Sequence, residues 1–249
     1  MDSINYIRQI KTNIGLVKER IEQAATKSGR KLSEIRLVAV SKAQPVEKIK
    51  AAIESGLTIF GENYPEESEP KILALQNENP HIEWHMIGHL QSRKSDLVCK
   101  YFSMLHSLDS VHLAEKLNRR LESFNKKLPV LLEVNIGDEE SKSGWLANEP
   151  QEWEILLVDF QRILAFDHLS VEGLMVMPPL GDDKEKSRPY FVKLRLLQEF
   201  LRKKIPASHW NELSMGTSFD YEIAIEEGAT IVRIGEGIFG KRIYTLDRK

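Results

Sequence analysis

Apolar residues at Ile7, Ile10, Ile14, Val17, Ile21 and Ala24 recur every three or four positions. That spacing covers one helix face and predicts an amphipathic helix from about Ile4 to Lys27, stopped at Gly29. The period then changes. Leu37-Val38-Ala39-Val40 is an unbroken, branched apolar run, which predicts a strand over Ile35–Ser41 that is buried on both faces. Further strands are predicted at Leu57–Phe60, Glu83–Ile87, Met104–Leu108, Pro129–Ile136, Leu169–Met177, Glu212–Met215 and Thr230–Ile234. Between them lie helical patterns at Val46–Ser55, Glu66–Gln76, Gln91–Cys99, Ser110–Phe124, Glu152–Ala165, Tyr190–Lys204 and Tyr221–Glu227, and a charged loop at Gly137–Gly144. Alternation of strand and helix implies parallel pairing with right-handed crossovers. Eight such units in 249 residues fit one closed (β/α)8 barrel over residues 1–249. The first, extra helix then fills the place of the one that normally follows the eighth strand. An open doubly wound sheet is the alternative, but it needs edge strands that the pattern does not provide.

Composition narrows the class. A hydrophobic fraction of 41% with mean hydropathy −0.34 predicts a soluble chain with a sizeable core. The net charge of −2 gives no general attraction to nucleic acid or to an anionic membrane. No apolar run is long enough to span a bilayer, and Met1-Asp2-Ser3-Ile4 does not open a signal peptide, so a cytoplasmic location is expected. Cys99 is the only cysteine, which excludes an intrachain disulfide and any multi-cysteine zinc site. It reads as a buried thiol, with a reactive nucleophile as the lesser reading. His81, His85 and His89 recur every four residues. His85, however, falls in a predicted strand and H-E-x-x-H is absent, so no metal site is assigned.

Barrel active sites lie at the C-terminal ends of the strands. The candidates are therefore Lys42, Asn63, the Gly88-His89 turn, Lys142, Met177, the Ser214–Ser218 segment and the Arg233–Gly237 segment. Lys42 has two readings. It either ends the strand and points into water, or its amine sits at the mouth of a pocket where desolvation lets it attack a carbonyl. Ser214-Met215-Gly216-Thr217-Ser218 places hydroxyls and a glycine before a helix, where free N–H groups and the helix dipole favour an anion. Thr217-Ser218-Phe219-Asp220 also fits a helix capping box. Gly235-Glu236-Gly237-Ile238-Phe239-Gly240 matches G-x-G-x-x-G, yet only nine residues follow Gly240, too few for a dinucleotide unit. A phosphate site built from the last two βα loops, or a plain turn, remains. At the end of a barrel strand, Arg233 must be paired or face a ligand. Together these residues suit an aldehyde that bears a phosphate; sugar phosphates and pyridoxal phosphate both qualify.

Ala39-Val40-Ser41-Lys42, Phe60-Gly61-Glu62-Asn63-Tyr64, Glu83-Trp84-His85-Met86-Ile87-Gly88 and Lys142-Ser143-Gly144 occur in order, as do Leu213-Ser214-Met215-Gly216, Val232-Arg233-Ile234-Gly235 and Ile238-Phe239-Gly240. With them the chain resembles, along nearly its whole length, the YggS/PROSC family of pyridoxal-phosphate homeostasis proteins. Their fold is that of the alanine racemase N-terminal barrel. The resemblance implies that pyridoxal 5'-phosphate (PLP) is held as a Schiff base on Lys42. It also implies that Ser214, Gly216, Ser218, Gly235 and Gly237 surround the phosphate, with Met215 and Thr217 in the same segment. Asn63 would lie near the ring, and Arg233 would face the pyridine nitrogen. Two positions depart from the family pattern: Thr217 stands where methionine is usual, and Glu236 where a small residue is usual. An arginine at the ring nitrogen leaves that nitrogen unprotonated and weakens the cofactor as an electron sink. The chain ends at Lys249, without room for the extra β domain of the racemases. The function expected is therefore PLP buffering and delivery with little or no turnover, by a cytoplasmic monomer whose partners are PLP and apo-enzymes that need it. A racemase-like PLP enzyme is the alternative.

Overall fold

The computed structural model describes residues 3–137, 142–179, 181–206 and 208–240. Part of the charged loop expected at Gly137–Gly144, residues 138–141, lies outside the described residues. The chain opens with α1 (Ser3–Lys27), β1 (Arg36–Val40), α2 (Val46–Glu54), β2 (Ile59–Glu62) and α3 (Pro65–Leu75). Next come β3 (Glu83–Met86), α4 (Ser95–Tyr101), β4 (Met104–Leu108), α5 (Val111–Ser123), β5 (Leu128–Asn135) and a two-residue β6 (Trp145–Leu146). It continues with α6 (Trp153–Leu164), β7 (Leu169–Met175), α7 (Arg188–Lys204), β8 (Glu212–Thr217), α8 (Tyr221–Glu226), β9 (Ile231–Ile234) and the single turn α9 (Glu236–Phe239).

All the ladders are parallel, and the β4–β5 pairing closes the sheet. The result is an eight-stranded barrel, with β6 paired only to the outer end of β5. Closure removes the edges that an open sheet would leave unpaired. The first helix takes the expected place: α1 packs against α2, α8 and α9 and buries Ile10, Ile14, Val17 and Ile21 over the seam between the last strand and the first.

The remaining differences are local. The sixth predicted strand stops at Met175, because Pro178 and Pro179 lie just beyond it and offer no N–H to a ladder. The helix expected from Gln91 begins with a separate 3-10 turn at Ser92–Lys94 before α4. β6 and α9 are too short to leave a periodic signal.

Two apolar layers hold the barrel. The larger lies between the strands and the helices and includes Leu37, Ala39, Phe60, Leu105, Val130, Leu132 and Leu213. The smaller fills the barrel itself and consists of Val38, Met104, Leu131, Met175 and Ile231. Side chains alternate across a strand, so positions two residues further along face the same way. From the inner cluster this puts Val40, His106, Glu133, Met177 and Arg233 on the interior face, toward the C-terminal mouth. Cys99 lies on the buried face of α4, and burial pushes its thiol up to about 11, which makes it an inert core residue.

Candidate functional site

Lys42 follows β1 at the mouth and is half-buried. A four-residue turn, closed by the Gln44 N–H donating to the Ser41 carbonyl at 3.0 Å, carries it. Ala43 holds the third position of that turn at φ 58°, a conformation costing about 1–2 kcal/mol for a residue with a Cβ. The turn is anchored from behind. Ser41 Oγ donates to the buried Glu62 carboxylate at 2.7 Å, and the Lys71 ammonium bonds both the Ser41 carbonyl (3.0 Å) and Glu62 (2.9 Å).

β9 pairs with β1 in the register Ala39↔Ile234, so the turn after β9 lies beside the end of β1. A Cβ on Gly235 would come within 3.3 Å of Val40 Cβ. In that turn the Gly235 and Gly237 N–H groups both donate to Ser218 Oγ, at 3.1 and 3.2 Å. Two backbone donors from one loop thus converge on one oxygen supplied by the neighbouring loop. That donor set suits a phosphate oxygen, since the two N–H groups, from the N-cap Gly235 and from Gly237 in the single turn α9, need no counter-charge of their own. Glu236 stands between the two glycines but is exposed, so its carboxylate is turned to solvent.

The capping box expected at Thr217–Asp220 is half formed. Asp220 Oδ1 accepts from the Thr217 N–H (2.8 Å) and from its hydroxyl (3.1 Å), but α8 starts only at Tyr221. The carboxylate therefore closes the turn before the helix. Gly216, at φ 88°, lets β8 pass against α8; a Cβ there would lie 2.6 Å from Ala224 Cβ. Met215 turns its side chain into the helix-facing core and leaves only its backbone near the mouth. Ser214 is not in the glycine turn. It sits one layer deeper, with its hydroxyl between Arg233 and His106.

Arg233 is 4% exposed. Its guanidinium donates to Ser214 Oγ and to the Val176 carbonyl, and lies 2.8 Å from Met177 Sδ under the mouth. Burial lowers it to about 10, partly offset by the charges of Asp220 and Glu133. Asn63, just past β2, has a buried Oδ1 without a hydrogen-bond partner among the described residues, as does Glu133 at its Oε2. Burial, reinforced by Asp109, raises the Glu133 carboxyl to about 7. Lys142 bridges the mouth by donating to the Met177 carbonyl at 2.8 Å.

A cavity of about 340 Å³ opens beside the mouth, lined by His89, Asp109, Ser110, Ser143 and Gly144 among others. Asp109 Oδ2 and Ser143 Oγ lie 3.0 and 3.1 Å from the same His89 nitrogen, Nδ1. A nucleophilic triad needs them on opposite ring nitrogens, so this trio does not activate the serine.

Sequence reasoning missed Glu133, Asp109, His106 and the Glu62–Lys71 pair. Glu133, Asp109, His106 and Glu62 share one signal, a polar residue at an inward or strand-end position of an otherwise apolar strand; Lys71, on α3, carried none.

The class is set by the fold and its mouth: a closed parallel (β/α)8 barrel with a strand-end lysine, an interior arginine and a two-glycine turn after its last strand. Comparison with known proteins makes this specific. Residues 12–242 match the alanine racemase N-terminal domain family. The chain is 39% identical over 236 residues to the pyridoxal phosphate homeostasis protein of Pasteurella multocida, covering 95% of this chain and 99% of that one. It is 40% identical over 228 residues to the protein of the same name from Aquifex aeolicus, covering 92% and 96%. Among solved structures, PipY of Synechococcus elongatus with PLP bound superposes with a TM-score of 0.76 at 31% identity, covering 89% of this chain and all (100%) of that one. An alanine racemase of Clostridium difficile shares the fold, with a TM-score of 0.66 at 16% identity over 95% of this chain and 57% of that one. The chain belongs to the pyridoxal phosphate homeostasis proteins of the alanine racemase N-terminal domain family.

Proposed function

We propose that this protein binds PLP at the barrel mouth, through a Schiff base to Lys42, and buffers and delivers the cofactor with little or no turnover. The observation that carries the reading is the convergence of the Gly235 and Gly237 N–H groups on one oxygen position, in the loop laid against the end of β1 that leads to Lys42. The turn would take the phosphate, and the half-buried Lys42 amine would take the aldehyde carbon, releasing one water. Arg233 would face the pyridine nitrogen as a donor, and the orphaned Asn63 Oδ1 would accept a hydrogen bond from the ligand. PLP supplies an electron sink that is strongest when its ring nitrogen is protonated. A buried guanidinium can only donate to that nitrogen, so it does not promote the protonated form. This supports carriage over catalysis, in a cytoplasmic monomer that passes PLP to apo-enzymes.

The test is borohydride reduction of the PLP-loaded protein followed by peptide mapping. We expect one reduced pyridoxyl adduct, on Lys42, and none in Lys42→Ala. A colourless protein after PLP addition, or an adduct confined to other lysines, refutes the site. Rapid exchange of amino-acid α-protons by the loaded protein refutes the carrier reading and favours the racemase-like one.

A further inference from the structure

A line of polar side chains runs through the apolar interior beneath Arg233. Arg233 Nη1 donates to Ser214 Oγ. Ser214 Oγ lies 2.9 Å from His106 Nδ1, and His106 Nε2 lies 3.0 Å from His85 Nδ1. His85 Nε2 lies 3.4 Å from Glu83 Oε2. Arg233, Ser214, His106 and His85 are all at most 4% exposed, whereas the Glu83 side chain is 52% exposed. Glu83 stands at the opposite end of the barrel, in a cavity of about 180 Å³ shared with Arg36, Glu172 and Glu212. The line therefore crosses the barrel from its N-terminal opening to the ligand mouth.

The two ends dictate the direction of every bond between them. A guanidinium has no acceptor, so Ser214 Oγ must accept from Arg233. An ionised carboxylate has no donor, so His85 Nε2 must carry the proton that faces Glu83. Burial pushes both histidines down, His106 well below the ordinary value, so each ring is neutral and holds one proton. With its proton on Nε2, His85 accepts at Nδ1. His106 must then donate from Nε2 and accept the Ser214 hydroxyl at Nδ1. All four bonds point the same way, and their dipoles present an acceptor to Arg233. Among the described residues, the hydrogen-bond partners of Arg233 are a hydroxyl, a carbonyl and a thioether. None is a carboxylate.

We propose that Glu83, His85, His106 and Ser214 form an oriented hydrogen-bond thread that positions Arg233 for the pyridine nitrogen, with Glu83 fixing the direction of the thread from the far end of the barrel. The inference rests on the reading of Arg233 given under Proposed function. It explains how the buried Arg233 guanidinium can be held in place by a hydroxyl, a carbonyl and a thioether, with no carboxylate bonded to it among the described residues. The histidines and Glu83 are positioning residues, since they act only through Arg233.

Nitrogen-15 histidine spectra of the cofactor-free protein test the thread directly. We expect His85 and His106 both as the Nε2–H tautomer, unchanged across the neutral pH range. A proton on Nδ1 of either ring, or a cationic ring, overturns the orientation. His106→Leu should weaken PLP binding about ten-fold and shift the absorption band of the bound cofactor, because Ser214 and Arg233 lose their fixed partner. His106→Asn, which keeps an acceptor for Ser214, should restore most of the affinity. Glu83→Ala, at the half-exposed end, should mix the tautomers even if His106→Leu does not fold. Unchanged affinity, absorption and tautomers in the folded variants overturn the proposal. If the wild-type chain takes up no PLP, the cofactor reading and the positioning role fail together, while the tautomers still decide the orientation of the thread.

Discussion

Lys71 reaches from α3 beneath the turn that carries Lys42, and replacing it with methionine isolates what that anchor contributes. Its ammonium bonds Glu62 at 2.9 Å and the Ser41 carbonyl at 3.0 Å. The Glu62 side chain is 1% exposed and that of Lys71 12%, so the pair is shielded from water. Lys71→Met leaves the carboxylate, among the described residues, with only the Ser41 and Ser68 hydroxyls, at 2.7 and 3.4 Å. Breaking a buried pair by removing one partner costs about 3–5 kcal/mol. Unfolding entropy of about 2.1 cal/mol/K per residue gives about 0.5 kcal/mol/K for 249 residues, so the melting temperature should fall by about 6–10 °C. Calorimetry of the cofactor-free protein measures the fall. Glu62→Leu combined with Lys71→Met should recover most of the loss, because neither charge is then left behind. A drop below about 2 °C, or simple additivity in the double variant, would refute the claim that this pair is desolvated and coupled.

Other perturbations follow from the same geometry. Gly216→Ala places a methyl 2.6 Å from Ala224 Cβ and 2.8 Å from Tyr221 Cα at φ 88°, and should cost about 2–5 kcal/mol in urea unfolding. The carboxyl of Glu133, raised to about 7 chiefly by burial, favours the protonated folded state, so its contribution is present at acid pH and lost as pH rises toward and through about 7. Glu133→Gln should therefore be more stable than the wild type above pH about 8, by up to about 3 kcal/mol, and no more stable near pH about 4; equal gains at both would show that ionisation is not the cause.

The barrel was legible because strand-to-helix alternation is a repeating signal, and eight repeats reinforce one another. Lys42, Arg233 and the glycine turns were legible because strand ends point to the mouth whatever the detailed register. The register itself was not. Ser214 was expected at the phosphate with its neighbours, but alternation along β8 turns it inward onto Arg233 and sends Met215 outward into the helix layer. His106 sits in the run Met104-Leu105-His106-Ser107-Leu108, where local composition cannot say which face is interior. Only the packing of Met104 inside the barrel, two residues earlier, reveals that His106 points the same way. Likewise Glu62 and Lys71 are nine residues apart and face each other only because α3 folds back on β2.

α1 also touches the last described turn: Asn13 donates to the Ile238 carbonyl at 2.9 Å, and a Cβ on Gly237 would sit 3.5 Å from Val17. Early and late segments must therefore meet before the Gly235–Gly237 turn has its final shape. During synthesis α1 is made long before its docking site exists, so this turn is completed only after residue 240 has emerged. The mouth around that turn would then close in one step at the end of folding rather than grow with the chain.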